Sequence, residues 1–256
     1  MISVFGSTGF IGSNWIKMYP DISFPEERNS LISKYDKLIY FRGTTTNYSV
    51  FEDISRDINT NLLLFTETLK NTSQNCEFNL ISSWFCETGS GFYAITKRAQ
   101  EELLESYSKT FDRKYKIIRL ANVIGGDSKA NKKKNALEHM INEIKNNRDI
   151  EIYEGSNFRN FINVSDCCRA IKLILDKGEN GQKYNVGDLQ SYRIQELLEY
   201  CIEKTKSKSN ISIVPVPKFH SLVQQPNYFM KTNKLQKLGF RDEKTIWQTL
   251  DEICSR

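Results

Sequence analysis

The feature that most constrains the fold of this chain is a glycine-rich turn near its N-terminus. The apolar run Ile2–Phe5 leads directly into Gly6-Ser7-Thr8-Gly9-Phe10-Ile11-Gly12, and a helical pattern follows over Ser13–Met18. Glycines at a strand-to-helix turn permit positive φ values and let the backbone approach a pyrophosphate closely. The helix N-terminus presents free N–H groups and a partial positive charge to the phosphate. The sequence therefore predicts a dinucleotide-binding turn, rather than a merely structural one, made by Gly6, Thr8, Gly9, Phe10, Ile11 and Gly12.

Short runs rich in Ile, Val, Leu, Phe and Tyr recur behind this turn and are typical of buried parallel strands. They cover Lys37–Phe41, Phe78–Ile81 and Tyr115–Leu120. Between them, Asp57–Lys70 and Ala94–Tyr107 place apolar residues at intervals of three and four, as amphipathic helices do. Strands that alternate with helices predict βαβ units. We therefore expect an α/β fold with a doubly wound, Rossmann-type parallel sheet.

The pattern becomes less regular after Gly125-Gly126. Short extended segments and helices continue to the C-terminus, among them a helix over about Ser165–Leu175 that leads into a strand at Lys183–Val186. We expect a dinucleotide-binding Rossmann domain formed by residues 1–124 plus about 163–187. The remaining residues, about 125–162 plus 188–256, would form a smaller mixed α/β C-terminal lobe that binds the substrate.

The composition excludes several classes of protein. The 256 residues contain no apolar run long enough for a membrane-spanning helix, and we expect no signal peptide, because Ile2–Phe5 runs directly into the glycine turn. The six cysteines are scattered and the two histidines are isolated, which indicates reduced thiols and no metal site. A net charge of +5 suits a small anionic ligand better than nucleic acid. We therefore expect a cytoplasmic protein with no nucleic-acid, membrane or metal partner.

The residues that would bind the adenosine ribose are less well defined. An acidic residue about 20 residues after the glycine turn commonly binds the ribose 2′-hydroxyl. The second strand is weakly marked near Asp21–Phe24, and Pro25-Glu26-Glu27-Arg28 follows it. Either glutamate could bind the 2′-hydroxyl of NAD, Arg28 could bind the 2′-phosphate of NADP, and a solvated charged loop is an equal alternative. The sequence leaves NAD and NADP open as cofactors.

A tyrosine and a lysine lie one helical turn apart in Tyr93-Ala94-Ile95-Thr96-Lys97. A free tyrosine, with a pKa near ~10, is a poor acid–base group at neutral pH, and an adjacent ammonium lowers that pKa. Ser82 and Ser83 end the strand at Phe78–Ile81, at the carboxyl edge where doubly wound sheets bind ligands. We expect a serine hydroxyl here to hydrogen-bond a substrate oxygen while the tyrosine transfers a proton.

Further motifs follow one another in a characteristic order. They are Asn59 within Asp57–Asn61, Ile81-Ser82-Ser83, Tyr93–Lys97 with Glu101, Arg119–Gly125, Arg159–Asp166, Tyr184–Gly187, and Lys234 with Leu238-Gly239-Phe240. In this order they resemble the extended short-chain dehydrogenases/reductases, and within them the NAD-dependent epimerase/dehydratase group that acts on nucleotide sugars. The resemblance covers almost the whole chain.

The resemblance implies a role for each matching residue. Tyr93 would be the acid–base residue, Lys97 would modulate its pKa and bind the nicotinamide ribose, and Ser83 would hydrogen-bond the reacting sugar oxygen. The residues that would bind the nucleotide diphosphate are Asn122, Asn135 and Arg159. The alternative for the arginine is a surface ion pair, and for the asparagines it is local hydrogen bonding in turns or helices. The cofactor would be NAD or NADP, and a homodimer through the tyrosine-bearing helix is a further expectation, because it is common in the family.

Three positions depart from the family pattern. Sugar 4,6-dehydratases carry an Asp-Glu pair after the position of Ser83, where this chain has Trp84-Phe85, so elimination of water is not expected. The connection from Ser83 to Tyr93 is shorter than usual, which trims the loop over the sugar. The segment Gln225-Pro226-Asn227-Tyr228 lies where many relatives carry an arginine for the nucleotide phosphate.

We expect an NAD(P)-dependent oxidoreductase of nucleotide-activated sugars that reduces a 4-keto-6-deoxy sugar in surface-polysaccharide biosynthesis. A C4 epimerase is the alternative, because it uses the same residues but retains its NAD through oxidation and re-reduction. A non-catalytic protein that senses NAD(P) on the same fold is an alternative of a different class. The presence of Ser83, Tyr93 and Lys97 favours an enzyme, because a sensor has no need of an acid–base pair.

Overall fold

The structure is a computed structural model that describes residues 1–45, 48–126, 135–155, 157–223 and 227–256. Within these ranges the strands are β1 Ile2–Phe5, β2 Ser23–Pro25, β3 Lys37–Tyr40, β4 Glu77–Ser83, β5 Tyr115–Leu120, β6 Asn122–Ile124, β7 Ile150–Tyr153, β8 Phe158–Asn163, β9 Gln182–Val186, β10 Ser191–Arg193 and β11 Ile211–Val214. The helices are α1 Phe10–Met18, α2 Ser49–Glu52, α3 Ser55–Asp57, α4 Leu64–Asn71, α5 Phe85–Thr88, α6 Phe92–Thr110, α7 Ala136–Lys145, α8 Val164–Lys177, α9 Ile194–Thr205, α10 Lys218–Val223, α11 Asn233–Lys237 and α12 Ile246–Cys254.

The largest sheet has six parallel strands in the order β2-β1-β3-β4-β5-β9. Because β2 lies on one side of β1 and β3 on the other, the winding of the chain reverses at β1. In doubly wound sheets the ligand crevice opens at such a reversal, outside the carboxyl ends of the strands. The α/β class and the Rossmann-type parallel sheet predicted from the sequence are confirmed.

Side chains alternate between the two faces of this sheet, as the period of a strand requires. Val4 and Ile118 pack on one face with α1 and α8, whereas their chain neighbours Phe5 and Ile117 pack on the other with α4 and α6. Both faces are therefore covered by helices. This explains why the strands are near-continuous apolar runs rather than alternating ones.

A second core lies outside this sheet. It packs α7, α9 and α12 against two small sheets, one of order β10-β8-β6 and one that pairs β11 with β7. The first of these is mixed, because β8 is parallel to β6 and antiparallel to β10. Since only Ala121 separates β5 from β6, this sheet begins at the carboxyl edge of the large one, beside the crevice.

Side chains that bind backbone groups set the first residue of two helices. The helix predicted over about Ser165–Leu175 begins at Val164, because the Asn163 side chain accepts a hydrogen bond from Ser165 N and caps α8. The final helix begins at Ile246, where a capping box forms at its N-terminus.

The helix predicted over Asp57–Lys70 is also not uniform. A π-helical turn, Ile58–Leu63, joins α3 to α4 within it. A spacing of three and four residues fits α-helix and π-helix alike over so short a segment, and π-turns are frequent at functional sites. In the described parts of the chain, no helix is long and apolar enough to cross a membrane.

Candidate active site

The three glycines of the turn after β1 have different surroundings. Gly6 has a φ of +80°, and a Cβ there would lie 3.0 Å from Arg42 N. A Cβ on Gly12 would lie 2.3 Å from the Gly6 carbonyl oxygen, so a side chain there would push α1 away from the turn. At Gly9 the nearest atom to such a Cβ would be the Gly6 oxygen at 3.4 Å, an ordinary contact. The fold therefore tolerates a side chain at Gly9, and the absence of one leaves room for a ligand.

The first turn of α1 can bind an anion. Gly9 is the N-cap residue, and no side-chain hydrogen bond caps this helix, which leaves its first N–H groups for a ligand. Thr8 and Gly9 are exposed, whereas Phe10 and Ile11 are partly buried. This cradle fits the pyrophosphate of a dinucleotide, because it offers N–H groups and partial positive charge with no side chain in the way.

Ser83, Tyr93 and Lys97 come together at the carboxyl end of β4. Ser83 is the last residue of β4, and Tyr93 is in the first turn of α6. Ser83 Oγ accepts a hydrogen bond from Phe85 N at 3.3 Å, and the Ser83 side chain is close enough to Tyr93 to lower its pKa. Lys97 Nζ donates to Ile81 O at 3.1 Å and to Gln100 Oε1 at 2.6 Å, which fixes the ammonium against the end of the strand. The arrangement brings the predicted serine, tyrosine and lysine to one edge of the sheet.

The pKa of Tyr93 shifts in the opposite direction from the sequence expectation. Tyr93 is partly buried, and burial raises its pKa above the ordinary value of 10.0. The Ser83 side chain lowers the pKa, whereas Cys86 and Asp57 raise it further. Burial is the largest of these effects, so the expected net lowering of the Tyr93 pKa is wrong. Tyr93 is a protonated phenol at neutral pH.

The Lys97 ammonium lies in a buried environment. Its side chain is almost fully buried, and burial lowers the pKa of Lys97 from 10.5 to about 8. The negative charges of Cys86 and Glu101 act in the opposite direction but are smaller effects. Lys97 therefore carries its charge at neutral pH and loses it near pH 8.

A buried polar network that the sequence analysis missed lies beside Lys97. Asn61, in the π-turn, accepts from Thr44 N at 3.0 Å and donates to Thr96 Oγ1 at 3.0 Å. Thr44 Oγ1 in turn donates to the buried Asp57 carboxylate. The network ties the loop after β3 to α6. Its signal in the sequence is that Asp57 and Asn61 lie four residues apart, on one face of an otherwise apolar helix.

The comparison with known families decides the relationship. The sequence model of the NAD dependent epimerase/dehydratase family matches residues 85–187, a span that contains Tyr93 and Lys97. Over these residues the chain is similar to this family. The resemblance inferred from the order of motifs is confirmed, and so, for the family, is the expectation of NAD or NADP as cofactor.

Curated relatives are named for reactions of nucleotide sugars. The chain is 28% identical over 166 residues to the CDP-abequose synthase of Salmonella muenchen, which covers 64% of this chain and 55% of that protein. It is 27% identical over 159 residues to a trifunctional UDP-glucose 4,6-dehydratase/UDP-4-keto-6-deoxy-D-glucose 3,5-epimerase/UDP-4-keto-L-rhamnose-reductase of Arabidopsis thaliana, covering 61% of this chain and 23% of that protein. The matches thus span from about a quarter to about half of the length of these relatives.

Solved structures of family members share the fold over nearly the entire chain. RMD from Pseudomonas aeruginosa, complexed with NADPH, has a TM-score of 0.85 at 22% identity, covering 99% of this chain and 97% of that one. The UDP-glucuronic acid 4-epimerase of Bacillus cereus, in complex with UDP-glucuronic acid and NAD, has a TM-score of 0.86 at 15% identity. The match covers 99% of this chain and 98% of that one. At these identities the likeness shows the fold alone.

Trp84 and Phe85 follow Ser83, where the resemblance implies an Asp-Glu pair in sugar 4,6-dehydratases. Trp84 is buried and stacks on Tyr228, with 4.3 Å between ring centroids. The Phe85 ring stands edge-on to the Tyr93 ring at 6.1 Å. The segment Gln225-Pro226-Asn227-Tyr228 also departs from the family pattern, and its first two residues, Gln225 and Pro226, lie outside the described residues. Two apolar rings therefore occupy the place next to Ser83.

An ion-pair network holds Tyr228, the ring on which Trp84 stacks. The Tyr228 hydroxyl donates to Glu87 Oε2 at 3.0 Å, and Arg119 Nη1 donates to Glu87 Oε1 at 2.8 Å. Arg119 also binds the buried Glu101 carboxylate through Nε and Nη2. Ser82 Oγ donates to Glu101 Oε1 at 2.6 Å. The network fixes the end of β4 to α5, α6 and the C-terminal segment.

The three residues predicted to bind the nucleotide diphosphate lie in or beside the smaller sheets. Asn122 Nδ2 donates to a carbonyl oxygen of β8 at 2.9 Å. Asn135 caps α7 with its Oδ1 and donates from Nδ2 to a carbonyl oxygen of β6. Arg159, on β8, is partly buried, and burial lowers the pKa of its guanidinium. The local hydrogen bonds of both asparagines match the structural alternative, and the substrate contacts of all three stay predictions.

Two other residues from the sequence analysis lie on the surface. Asn59, the family-motif residue, is exposed and donates to Ser55 Oγ at 3.2 Å. Arg28 is exposed in the irregular segment 26–36 between β2 and β3. In the part of the chain that the structure describes, no group of three His, Cys, Asp or Glu side chains could hold a metal ion.

Helix α10 lies against the loops that follow β3 and β4, and we call it the strap. The Tyr48 hydroxyl, in the first loop, is 2.8 Å from His220 Nε2. Ser90 Oγ, in the second loop, donates to Leu222 O. The His220 ring also contacts the ring of Tyr153, with centroids 4.7 Å apart. The strap therefore lies at the same edge of the sheet as the serine–tyrosine pair.

Proposed function

We propose that this chain is an NAD(P)H-dependent reductase of a nucleotide-activated 4-keto-6-deoxy sugar in surface-polysaccharide biosynthesis. The observation that carries the proposal is that Ser83, Tyr93 and Lys97 come together at the carboxyl end of β4. The glycine turn would hold the cofactor, which supplies the hydride. The protein would supply the proton and the position of the sugar.

Reduction of a ketone needs an acid beside the carbonyl oxygen. The Tyr93 O–H would donate its proton to that oxygen, and the Ser83 hydroxyl would donate a second hydrogen bond to it. Because burial raises the pKa of Tyr93, the phenol begins in the protonated form that reduction requires. An epimerase would use the same residues but would begin by oxidising a hydroxyl, with the tyrosine accepting the proton.

Lys97 would act when the proton leaves Tyr93. An ammonium has three N–H donors, and Lys97 uses two of them for Ile81 O and Gln100 Oε1. The third would bind the nicotinamide ribose. The positive charge one helical turn from Tyr93 would stabilise the phenolate that forms.

The aromatic residues after Ser83 support a deoxy sugar as substrate. Trp84 and Phe85 replace the carboxylates that elimination of water would need. A sugar whose C4 carbonyl lies at Tyr93 would have its C5 substituent close by, and the Phe85 ring is edge-on to Tyr93. An aromatic surface favours a methyl group over a hydroxymethyl group, because the hydroxyl would lose its hydrogen bonds to water.

Arg159 is the candidate for the nucleotide diphosphate. Its guanidinium is suited to bidentate hydrogen bonds with phosphate oxygens. Because burial lowers its pKa, an anionic ligand would restore part of the stabilisation of its charge.

A cofactor-consumption assay on the purified chain tests the proposal. A panel of 4-keto-6-deoxy nucleotide sugars is supplied with NADPH or NADH, and the nicotinamide absorbance is followed. We expect stoichiometric loss of reduced cofactor and formation of a 4-hydroxy product. In the matched arm, 4-hydroxy nucleotide sugars are supplied with NAD. Interconversion of two 4-hydroxy sugars without a net absorbance change would identify a C4 epimerase, and tight dinucleotide binding without reaction in either arm would identify a sensor.

A further inference from the structure

We propose that Gln100 is a positioning residue, whose side-chain carbonyl holds the Lys97 ammonium at the carboxyl end of β4. The inference rests on the proposed function, because it concerns the charge that would stabilise the phenolate of Tyr93. Gln100 is not one of the motif residues of the sequence, and it lies between Lys97 and the motif residue Glu101 on α6.

The side chains of Lys97 and Gln100 meet because they lie one helical turn apart. Long side chains of a helix lean toward its N-terminus, so the Gln100 amide reaches back to the turn that carries Lys97. Lys97 Nζ donates to Gln100 Oε1 at 2.6 Å and to Ile81 O at 3.1 Å. A Cβ added to Gly43, in the loop after β3, would lie 3.4 Å from the same Nζ. The ammonium is therefore held beside the carboxyl ends of β3 and β4.

The titratable groups that surround Lys97 do not supply a bonded anion. The Glu101 carboxylate, on α6, pairs with the arginine of β5 at 2.7 Å, and the Asp57 carboxylate, on α3, accepts from a threonine in the loop after β3. Burial raises the pKa of Cys86, on α5, to about 11, and it also raises the pKa of Tyr93, so both are uncharged at neutral pH. The two hydrogen bonds of the ammonium both go to neutral carbonyl oxygens.

The Gln100 amide is bonded at its carbonyl end. An ammonium only donates, so the carbonyl and not the amide nitrogen must face Lys97. Gln100 is fully buried, and no acceptor among the described residues bonds its Nε2. An unbonded buried donor costs free energy, so the amide adds little to the stability of the fold. What the amide supplies here is an acceptor for the buried charge of Lys97.

Loss of this acceptor should make the ammonium easier to deprotonate. Gln100→Met keeps an unbranched side chain of similar length, and the methionine sulfur is only a weak acceptor. Burial already lowers the pKa of Lys97 to about 8. Loss of one charge-assisted hydrogen bond should weaken proton binding by about 10- to 100-fold and so lower this pKa by about one to two pH units. The fall of kcat at alkaline pH should move to lower pH by the same amount.

Gln100→Glu should have the opposite effect. It puts a carboxylate where the amide carbonyl lies, and an adjacent negative charge favours the ammonium. The pKa of Lys97 and the fall of kcat should both move to higher pH than in the wild type. A side chain that only packs would not move them in opposite directions in the two variants.

The test measures the ionisation of Lys97 with and without turnover. The pH dependence of kcat is measured with a 4-keto-6-deoxy nucleotide sugar and NADPH for the wild type, Gln100→Met and Gln100→Glu. Independently, the Cε signal of isotope-labelled lysine is followed by NMR as a function of pH, and the signal missing from Lys97→Met assigns the residue. We expect opposite displacements in both measurements.

Ser108→Ala is the matched control. Ser108 is buried on the same helix about three turns from Lys97, and no described residue bonds its Oγ. This variant should leave both titrations as in the wild type.

The outcomes separate this inference from the proposed function. A Lys97 signal that titrates at the wild-type pH in Gln100→Met would overturn the inference, while the proposed reduction stands. If Gln100→Met does not fold, an unmoved titration in Gln100→Glu would overturn it equally. Opposite displacements of the Lys97 pKa in a chain that reduces no 4-keto sugar would overturn the proposed function and support the positioning of Lys97 by Gln100.

Discussion

At the scale of single residues, the glycine turn offers a substitution that separates ligand binding from folding. A side chain at Gly9 meets only an ordinary contact within the protein but intrudes on a bound pyrophosphate. Gly9→Val should therefore lose dinucleotide binding in a titration while its melting temperature stays near that of the wild type. Gly12→Ala is the matched control, because its Cβ would clash with the Gly6 oxygen, and it should lower the melting temperature. Unchanged cofactor affinity in Gly9→Val would remove the turn from the site.

The lowered pKa of Lys97 predicts an alkaline limit on activity. Lys97 is protonated below about pH 8 and loses its charge as the pH rises through that value. If this charge stabilises the phenolate, kcat should fall above about pH 8. Methionine has a length similar to that of lysine and no charge. The Lys97→Met variant should therefore have a lower kcat that does not fall further above about pH 8. A wild-type profile that stays level to pH 10.5, the ordinary pKa of lysine, would contradict the role.

The candidate site residues Ser83, Tyr93 and Lys97 could be named from the sequence, but their electrostatics could not. Tyr93 and Lys97 are one turn apart in any helix, and Ser83 follows a clear apolar strand. The sign of the Tyr93 pKa shift depends instead on burial and on Asp57, which is far from Tyr93 in the sequence. A sequence spacing gives the distance along a helix and not the hydrogen bonds that a lysine makes.

At the scale of elements, the strap should respond to pH through His220. Burial lowers the pKa of His220 below its ordinary value of 6.5, so the folded protein favours the neutral ring. At acidic pH the unfolded chain therefore binds more protons at His220 than the folded protein does. The contribution of neutral His220 to the free energy of unfolding is complete above pH 6.5 and is lost as the pH falls through the pKa of the folded state. His220→Phe should lower the melting temperature at pH 8, because it removes the contact with the Tyr48 hydroxyl, and this difference from wild type should shrink in acid.

The only other histidine of the chain provides the control. His139 is exposed on α7, so His139→Phe should leave the pH dependence of the melting temperature as in the wild type. A wild type and a His220→Phe variant whose melting temperatures differ equally at every pH would exclude His220 as the titrating group.

Element prediction succeeded where burial is continuous. The runs at Tyr115–Leu120 and Ile2–Phe5 are strands with the predicted bounds, because both faces of the sheet are covered and every residue is apolar or shielded. The short strands β6 and β10 were not predicted, since each has three residues and owes its pairing to β8, a distant segment. The strap was missed for the same reason, because its partners Tyr48, Ser90 and Tyr153 are distant from it in the sequence.

At the scale of the whole molecule, we propose a homodimer through α6 and the adjacent π-turn. Leu103 on α6 and Leu63 in the turn are exposed apolar residues, 40% and 57% exposed. Sedimentation equilibrium should show a dimer for the wild type and a monomer for Leu103→Glu. Leu189→Glu, at an equally apolar exposed position elsewhere, should remain dimeric. A monomeric wild type, or a dimeric Leu103→Glu, would contradict this interface.

The class of the fold follows from the sequence because two local patterns constrain the whole chain. A glycine turn between a buried strand and a helix, repeated βα alternation and the order of motifs all indicate one architecture. Strand neighbours are not local, so the order β2-β1-β3-β4-β5-β9 and the helix-free link from β2 to β3 emerge only in the structure. The division into a Rossmann domain and a substrate lobe stays a proposal, supported by two cores that share no buried residue.

Single-turnover kinetics of Tyr93→Phe would test whether this molecule donates a proton to a sugar ketone. The variant keeps the ring and its contact with Phe85 but has no proton to give. With a 4-keto-6-deoxy nucleotide sugar and bound NADPH, cofactor oxidation should slow by about 10²- to 10⁴-fold, the usual contribution of general acid catalysis, while the Kd for NADPH is unchanged. Oxidation of NADPH at the wild-type rate in Tyr93→Phe would show that the proton comes from another group and would contradict the mechanism.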